Sequence, residues 1–478
     1  SEVTMAAAHA MLRLGSLARA GSAAAEPWLA RTRRATAAAS KSHLIAQATL
    51  PGERSFSSAA RPPPDYGDDM LDDILPPSGR RRNPWERSSM VLPGMDDEED
   101  QEEWIRKEVD RFAPMQPWPL TMGQVLDMLE PDRLAKFMHV EVPVRIAERI
   151  RWVEEIPDWE EVPELVDVHR DHWKAFGDMR MVRRKPTLDQ FTEVVTRVAT
   201  SMEDMRHVLA LAMQRLYLER GDDYGSSFAD AWLDKFLLNH IGTDMLMAQY
   251  LGCVKAAAAG IDQTSMAGII DPRCDVAQLC RGVANEVLEI CDSETGLAPL
   301  VKVETFSALG EDKGVPRFSF IPGYLRFMVR EVLKNSCRAT ALKVRSQREL
   351  AKRPINIIVC ADGHRVAIRV TDRAGGIPFD VGRDVWSYLF STTGKGAKFG
   401  TKATPLAGYG VGLPLARIYA RYLGGSLRLV SLPGYGTSVD IFLSRVTSEQ
   451  MEVVPDEDNE PDVLKRGLSL SQPDVGKQ

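Results

Sequence analysis

Near residue 271 the apolar residues of the chain change period, and that change limits the fold more than any other feature of the sequence. Upstream, apolar side chains recur every three or four positions, the spacing of one helix face. The stretch 187–217 shows it through Phe191, Val194, Val195, Val198, Met202, Met205, Leu209, Met213 and Leu216. Val144, Ile146, Ala147, Ile150 and Val153 repeat it in PVRIAERIRWVEEI (143–156), and Phe228, Trp232, Phe236, Leu237, Ile241, Met245 and Leu246 in 228–251. Strand signals are few there. A bundle of four or more long helices is therefore expected over 111–270, with the methionine stripe in its core. Downstream, PINIIVC (354–360) and VAIRVT (366–371) are β-rich and flank an Asp362-Gly363 turn, and SLRLVSL (426–432) and TSVDIFL (437–443) flank PGYG. Helical patterns lie at 276–291, 322–343 and 413–423. Helices alternating with hairpins predict an α/β sandwich over 271–448, one sheet with helices on one face, so the class is α plus α/β.

The 478 residues also leave room for tails. Residues 1–64 carry Arg13, Arg19, Arg31, Arg33, Arg34, Lys41, Arg54 and Arg61 against Glu2, Glu26 and Glu53, in a background of Ala and Ser. That composition predicts an organelle transit peptide over 1–60, and RSFSS (54–58) resembles a matrix-protease cleavage site. The Pro-rich and acidic stretch 61–110 reads as a linker and the acidic end 449–478 as a mobile tail, since neither buries enough surface to fold. A net charge of −7 argues against general nucleic-acid binding. No apolar run approaches the ~18 residues that span a bilayer. The six cysteines have no C-x-x-C spacing, which predicts free thiols in a reducing compartment.

Four short motifs in the second region carry chemistry. The first, EVLKNSCRAT (331–340), puts Glu331 and Asn335 one helical turn apart on one face, with Arg338 a further turn along. An Asn carbonyl is a hard oxygen ligand suited to Mg²⁺ carrying phosphates, and a nearby Glu can take a proton from an attacking hydroxyl. Taken alone, this is better read as a solvated stripe. In the second, Asp372 follows a strand and precedes Gly375 and Gly376, where an acid can accept a hydrogen bond from a base while the backbone approaches closely. The third, Gly408-Tyr-Gly410-Val411-Gly412-Leu413, opens a helix whose amides and dipole can hold phosphate. No strand leads into it, so a dinucleotide-binding βαβ reading fails. The fourth, Gly434-Tyr-Gly436-Thr437, is by itself a hairpin turn.

In this order, E…N, D…G, G-x-G-x-G and G-x-G-T, the motifs resemble the GHKL (Bergerat) ATP-binding domain of histidine kinases, heat-shock chaperone ATPases, mismatch-repair ATPases and mitochondrial dehydrogenase kinases. The runs PVRIAERI, FSFIPGYL, TDRAGGIP, PLAGYGVGLPLARIYARYLGGSL and SLPGYGTSV resemble the mitochondrial α-ketoacid dehydrogenase kinases, from about residue 115 to 445. WLDKFLLNHIG, FSFIP and YLGGSL lean toward the branched-chain member over the pyruvate members. The resemblance implies a matrix serine kinase that phosphorylates and inhibits the E1α subunit of its dehydrogenase complex. It also implies docking to the lipoyl domain of E2, a homodimer, and the use of ATP and Mg²⁺, with K⁺ a further candidate. By position it makes Glu331 the general base and Asn335 the Mg²⁺ ligand. Arg338 joins the nucleotide contacts, Asp372 binds the adenine amino group and Gly376 packs beside it. Ser391, Thr392 and Thr437 contact nucleotide, residues 394–407 form a lid, and Gly408, Gly410, Val411, Gly412 and Leu413 face the phosphates.

Three departures stand against that pattern. Phe327 occupies the place, one turn before Glu331, where the pyruvate members have a histidine. Ala374 replaces the first glycine of D-x-G-x-G, and the tail lacks the Asp-Trp pair of the pyruvate members. Two rival readings follow. One is a degenerate, non-catalytic scaffold; the other is a histidine kinase using His139 in HVEVPVR as phosphoacceptor.

Overall fold

The long helices begin where the sequence supplies their first-turn partners. Pro131, Pro163 and Pro322 stand at first helical positions, where a missing N–H costs nothing. Thr121 and Thr187 form capping boxes with Gln124 and Gln190. A computed structural model describes residues 98–455, apart from 183–186, 203–204, 261–267, 311–314, 316, 345, 391–410 and 448. Its helical region comprises α1 (Glu98–Phe112), α2 (Met122–Asp127), α3 (Pro131–Glu154), α4 (Pro163–Met181), α5 (Leu188–Ser201), α6 (Met205–Arg220) and α7 (Ser226–Ala258).

The long periodic stretch 187–217 is thus two helices, with Met202 closing the first through its N–H to Ala199 O. Met202, Met205 and Met213 are buried, so the methionine stripe is core. Helix α3 starts twelve residues before the expected 143 and runs through Pro143, because burial of Phe137, Met138, Val142 and Val144 on both sides offsets the lost hydrogen bond.

The second region contains β1 (Asp271–Cys274), α8 (Val276–Thr295), β2 (Val301–Ser307), β3 (Phe318–Phe320), α9 (Pro322–Lys343), α10 (Gln347–Leu350), β4 (Ile355–Ala361), β5 (Arg365–Thr371), α11 (Gly412–Tyr422), β6 (Ser426–Leu432) and β7 (Gly436–Ser444). Five strands form one sheet in the order β2-β4-β5-β7-β6. The hairpins β4–β5 and β6–β7 fall where expected, with Asn356 opposite Thr371 and Leu432 opposite Gly436. The parallel strand β2 beside β4 is an addition that the hairpin pattern did not reveal. Alternate residues Ile355, Ile357, Val359, Val366, Ile368, Val370, Val439, Ile441 and Leu443 are buried, and α8, α9 and α11 pack against the sheet. The two regions share one continuous apolar core.

Two expectations about the ends need correction. Helix α1 occupies part of the expected linker: Ile105, Val109 and Phe112 lie on one face of an otherwise acidic run and are buried in the bundle. The described part of the tail is docked as well. Gln450 O accepts from Met122 N at 2.7 Å, Glu452 N donates to Leu120 O at 2.9 Å, and the Glu452 side chain is buried. The transit-peptide stretch 1–60 and residues 456–478 lie outside the described residues. Among the described residues the six cysteines are free, five of them buried and Cys360 exposed.

Candidate active site

Helix α9 buries Leu325, Met328, Val329, Val332, Leu333, Cys337 and Ala341, which fixes the opposite stripe toward open space. On that stripe Asn335 is exposed, while Glu331 and Arg338 are partly exposed. Glu331 has two close neighbours. Lys334 Nζ lies 3.2 Å from Glu331 Oε1, and this ammonium is itself buried. On the other side stands the first residue of α11, Gly412, packed so closely that a Cβ there would overlap the Glu331 carboxylate. The positive end of the α11 dipole therefore faces an acid and, beyond it, the open stripe of α9. The glycine is required by that approach.

Asp372 ends β5 and is buried. Its Oδ1 accepts from Ala374 N at 2.9 Å and Thr437 N at 3.3 Å, and its Oδ2 from the Ser336 hydroxyl at 3.2 Å. Burial pushes this carboxyl up, against the pull of those three donors. The turn that follows needs glycine twice: Gly375 has φ +101° and Gly376 φ +72°, and a Cβ on Gly376 would overlap Leu432 O. The G-x-G-T hairpin turn grips this segment, with Gly434 N donating to Gly375 O at 2.7 Å and Asp372 N to Thr437 O at 2.9 Å. Motifs two and four, some sixty residues apart in sequence, are one structural unit.

The structure thus brings Glu331, Asn335, Arg338, Asp372, Gly376, Gly412 and Thr437 onto elements that converge on one side of the sheet, with Val411 buried and Leu413 partly buried at the start of α11. Arg338 is half-buried in the field of Glu294 from α8; burial pulls its guanidinium down and Glu294 opposes that. Ser391, Thr392, Gly408, Gly410 and the stretch 394–407 lie outside the described residues. Sequence reasoning missed Lys334 and Ser336. Both are polar residues on the buried phase of α9, and that phase error was the signal available.

The departures have physical explanations. Ala374 is absent from the described residues with positive φ, so it needs no glycine, and its N–H still serves Asp372. Phe327 packs on Tyr419 with ring centroids 4.9 Å apart, so an apolar contact fills its place. His139 lies against Phe191, with Nε2 3.4 Å from Val182 O. Burial, reinforced by Arg180, pulls its pKa down to about 4, so it is neutral near pH 7.

A helical bundle running into a one-sided sheet, with an acid and an amide on the helix above it and a buried aspartate at a strand end, defines a protein with a GHKL-type ATP-binding domain. Residues 322–447 match the family model described as histidine kinase-, DNA gyrase B- and HSP90-like ATPase. Residues 119–271 match the model described as mitochondrial branched-chain alpha-ketoacid dehydrogenase kinase. The chain is 29% identical to the mitochondrial pyruvate dehydrogenase (acetyl-transferring) kinase isozyme 4 of Ictidomys tridecemlineatus, over 73% of this chain and 87% of that one. It is also 29% identical to isozyme 3 of Homo sapiens, over 73% and 88%, and 27% identical to isozyme 1 of Rattus norvegicus, over 74% and 83%. Along both regions the chain is similar to the mitochondrial dehydrogenase kinases, and it is an ATP-using protein kinase.

Proposed function

We propose that this chain transfers the γ-phosphoryl group of Mg-ATP to a serine of the E1α subunit of an α-ketoacid dehydrogenase complex in the mitochondrial matrix. The observation that carries the reading is the Glu331 carboxylate, held between Lys334 and the N-terminus of α11 one turn from the exposed Asn335. Glu331 would take the serine hydroxyl proton as that oxygen bonds to the γ-phosphorus and the β–γ bridging bond breaks, releasing ADP. Asp372 would accept from the adenine amino group, with Gly376 keeping the backbone close beside it. The amides of Val411, Gly412 and Leu413 would face the phosphates, joined by Gly408, Gly410, Ser391 and Thr392.

Mg²⁺ would neutralise phosphate charge. Among the described residues no group of three or more His, Cys, Asp or Glu side chains could hold a metal. A lone amide oxygen from Asn335 suits an ion that keeps its remaining ligands from phosphate and water. Among the described residues no helix is long and apolar enough to cross a membrane. Docking to the lipoyl domain of E2 and a homodimer complete the proposal, both supported by the family resemblance.

The test is incorporation of phosphate from Mg-ATP into purified pyruvate or branched-chain E1, comparing wild type with Glu331→Gln. The expected result is E1 labelling reduced on the order of a hundredfold or more in the variant, with Mg-ATP still bound. Nucleotide binding without E1 labelling in wild type would favour the scaffold. Acid-labile phosphate on His139 would favour the histidine kinase.

A further inference from the structure

We propose that Asp234, on bundle helix α7, is a positioning residue for the nucleotide site, setting the phosphate-facing end of α11 from the bundle. The proposal rests on reading the Glu331–Asp372 face as the ATP site. The Asp234 carboxylate gathers three donors from two elements of the second region. Its Oδ1 accepts from the Tyr388 hydroxyl at 3.0 Å, and its Oδ2 lies 3.5 Å from Arg417 Nη2 and 3.4 Å from Arg421 Nη1. The two arginines stand one turn apart on α11, so they present one cationic face to α7. Arg417 also lies over the Trp386 ring, 5.2 Å from its centroid. One turn earlier on α7, Asp230 Oδ1 accepts from Ser387 Oγ at 3.0 Å and Tyr388 N at 2.8 Å. Residues 386–388 are therefore clamped between α7 and α11. Tyr388 is buried, and burial followed by the Asp234 charge keeps its phenol protonated and donating.

At its other end α11 meets the chemistry, where Gly412 abuts the Glu331 carboxylate with no room for a Cβ. A helix moves as a rigid rod, so a small change in how Asp234 holds Arg417 and Arg421 tilts the α11 amides that face the phosphates, while Glu331 stays fixed on α9 by its own contact with Lys334. Asp234 is not needed to dock α11 on the bundle. Arg206 already holds the Tyr419 hydroxyl at 3.1 Å, and the buried Glu452 holds the Tyr422 hydroxyl at 2.6 Å. The Asp234 side chain is 26% exposed and its arginine contacts are long, so they contribute little to stability. What they determine is the angle at which α11 presents its amides.

The test uses the full chain, measuring Mg-ATP affinity by calorimetry, kcat at saturating ATP on E1, and Tm. Asp234→Asn keeps the shape and the Tyr388 acceptor but drops the charge. Its expected effect is roughly fivefold weaker Mg-ATP binding, with kcat changed less than about twofold and Tm nearly unchanged. Asp234→Glu restores affinity. Arg417→Gln reproduces the loss, and the double variant Asp234→Asn/Arg417→Gln is no weaker than either single one. Asp372→Asn runs in parallel. Nucleotide binding lost in Asp372→Asn but unchanged in Asp234→Asn overturns the positioning role and leaves the ATP site standing. A loss in Asp234→Asn that tracks a falling Tm, without rescue by Asp234→Glu, also overturns it. Binding unaffected in both variants overturns the ATP-site reading and this inference with it.

Discussion

Replacing Arg145 by Met should destabilise the fold more than any surface change, and the size can be worked from its contacts. The guanidinium is almost wholly buried and makes four hydrogen bonds: Nε to Glu141 Oε1 at 2.8 Å, Nη1 to Glu452 Oε2 at 3.1 Å, and Nη2 to Glu452 Oε1 at 2.6 Å and to Trp118 O at 3.0 Å. Glu452 in turn accepts from Leu120 N at 3.0 Å and the Tyr422 hydroxyl at 2.6 Å. One cation thus joins α3, the segment before α2, the docked tail and α11. It also explains Gly242 on α7, where a Cβ would overlap Arg145 Nη1. Methionine fills much of the volume but strands two buried carboxylates. Removing one partner of a buried pair costs about 3–5 kcal/mol. With an unfolding entropy of roughly 2.1 cal/mol/K per residue over the roughly 320 described residues, a loss of about 4 kcal/mol lowers Tm by roughly 6 °C. Scanning calorimetry at pH 7 measures it. Burial already pushes the Glu141 carboxyl up, so the deficit should shrink as pH falls and the stranded acids take up protons. A variant whose Tm stays within about 1 °C of wild type, or whose deficit grows on acidification, refutes the reasoning.

Two further outcomes follow from the site and the bundle. Gly412→Ala should cost on the order of a hundredfold in kcat through displacement of Glu331, with Tm little changed, read by E1 phosphorylation and calorimetry together. His139 has a folded pKa depressed to about 4 from an ordinary 6.5, so its neutral form contributes stability that is present above about 6.5 and lost as pH falls toward 4. Its ring resonances should titrate near pH 4 by NMR, and His139→Gln should flatten the stability profile between pH 6.5 and 4.

Much of this architecture was legible because it depends on short-range order. Hairpin β4–β5 follows from one turn, in which Asp362 Oδ1 accepts from His364 N and Arg365 N at 2.7 Å. Helices α8 and α9 follow from an apolar period, from the Asp275 cap, and from Pro322 at the first helical position. Glu331 and Asn335 share a face by helix geometry alone. Strand β2 was not legible. VKVETFS pairs in parallel with a strand more than fifty residues away, and no local turn announces such a partner. The docked tail was misjudged for a similar reason. Its composition is that of a solvated segment, and Glu452 is buried only because Arg145, 307 positions earlier, receives it.

The sequence by itself determined most of the element types, the class, and the family resemblance that the four motifs carry, since periodicity and turn chemistry act over a few residues. The tertiary structure alone decided which polar residues leave water: Arg145 with Glu452, Ser336 with Asp372, and Asp234 with Tyr388. Burying a charge or a hydroxyl is tolerated only when a partner arrives with it, and here those partners come from distant parts of the chain.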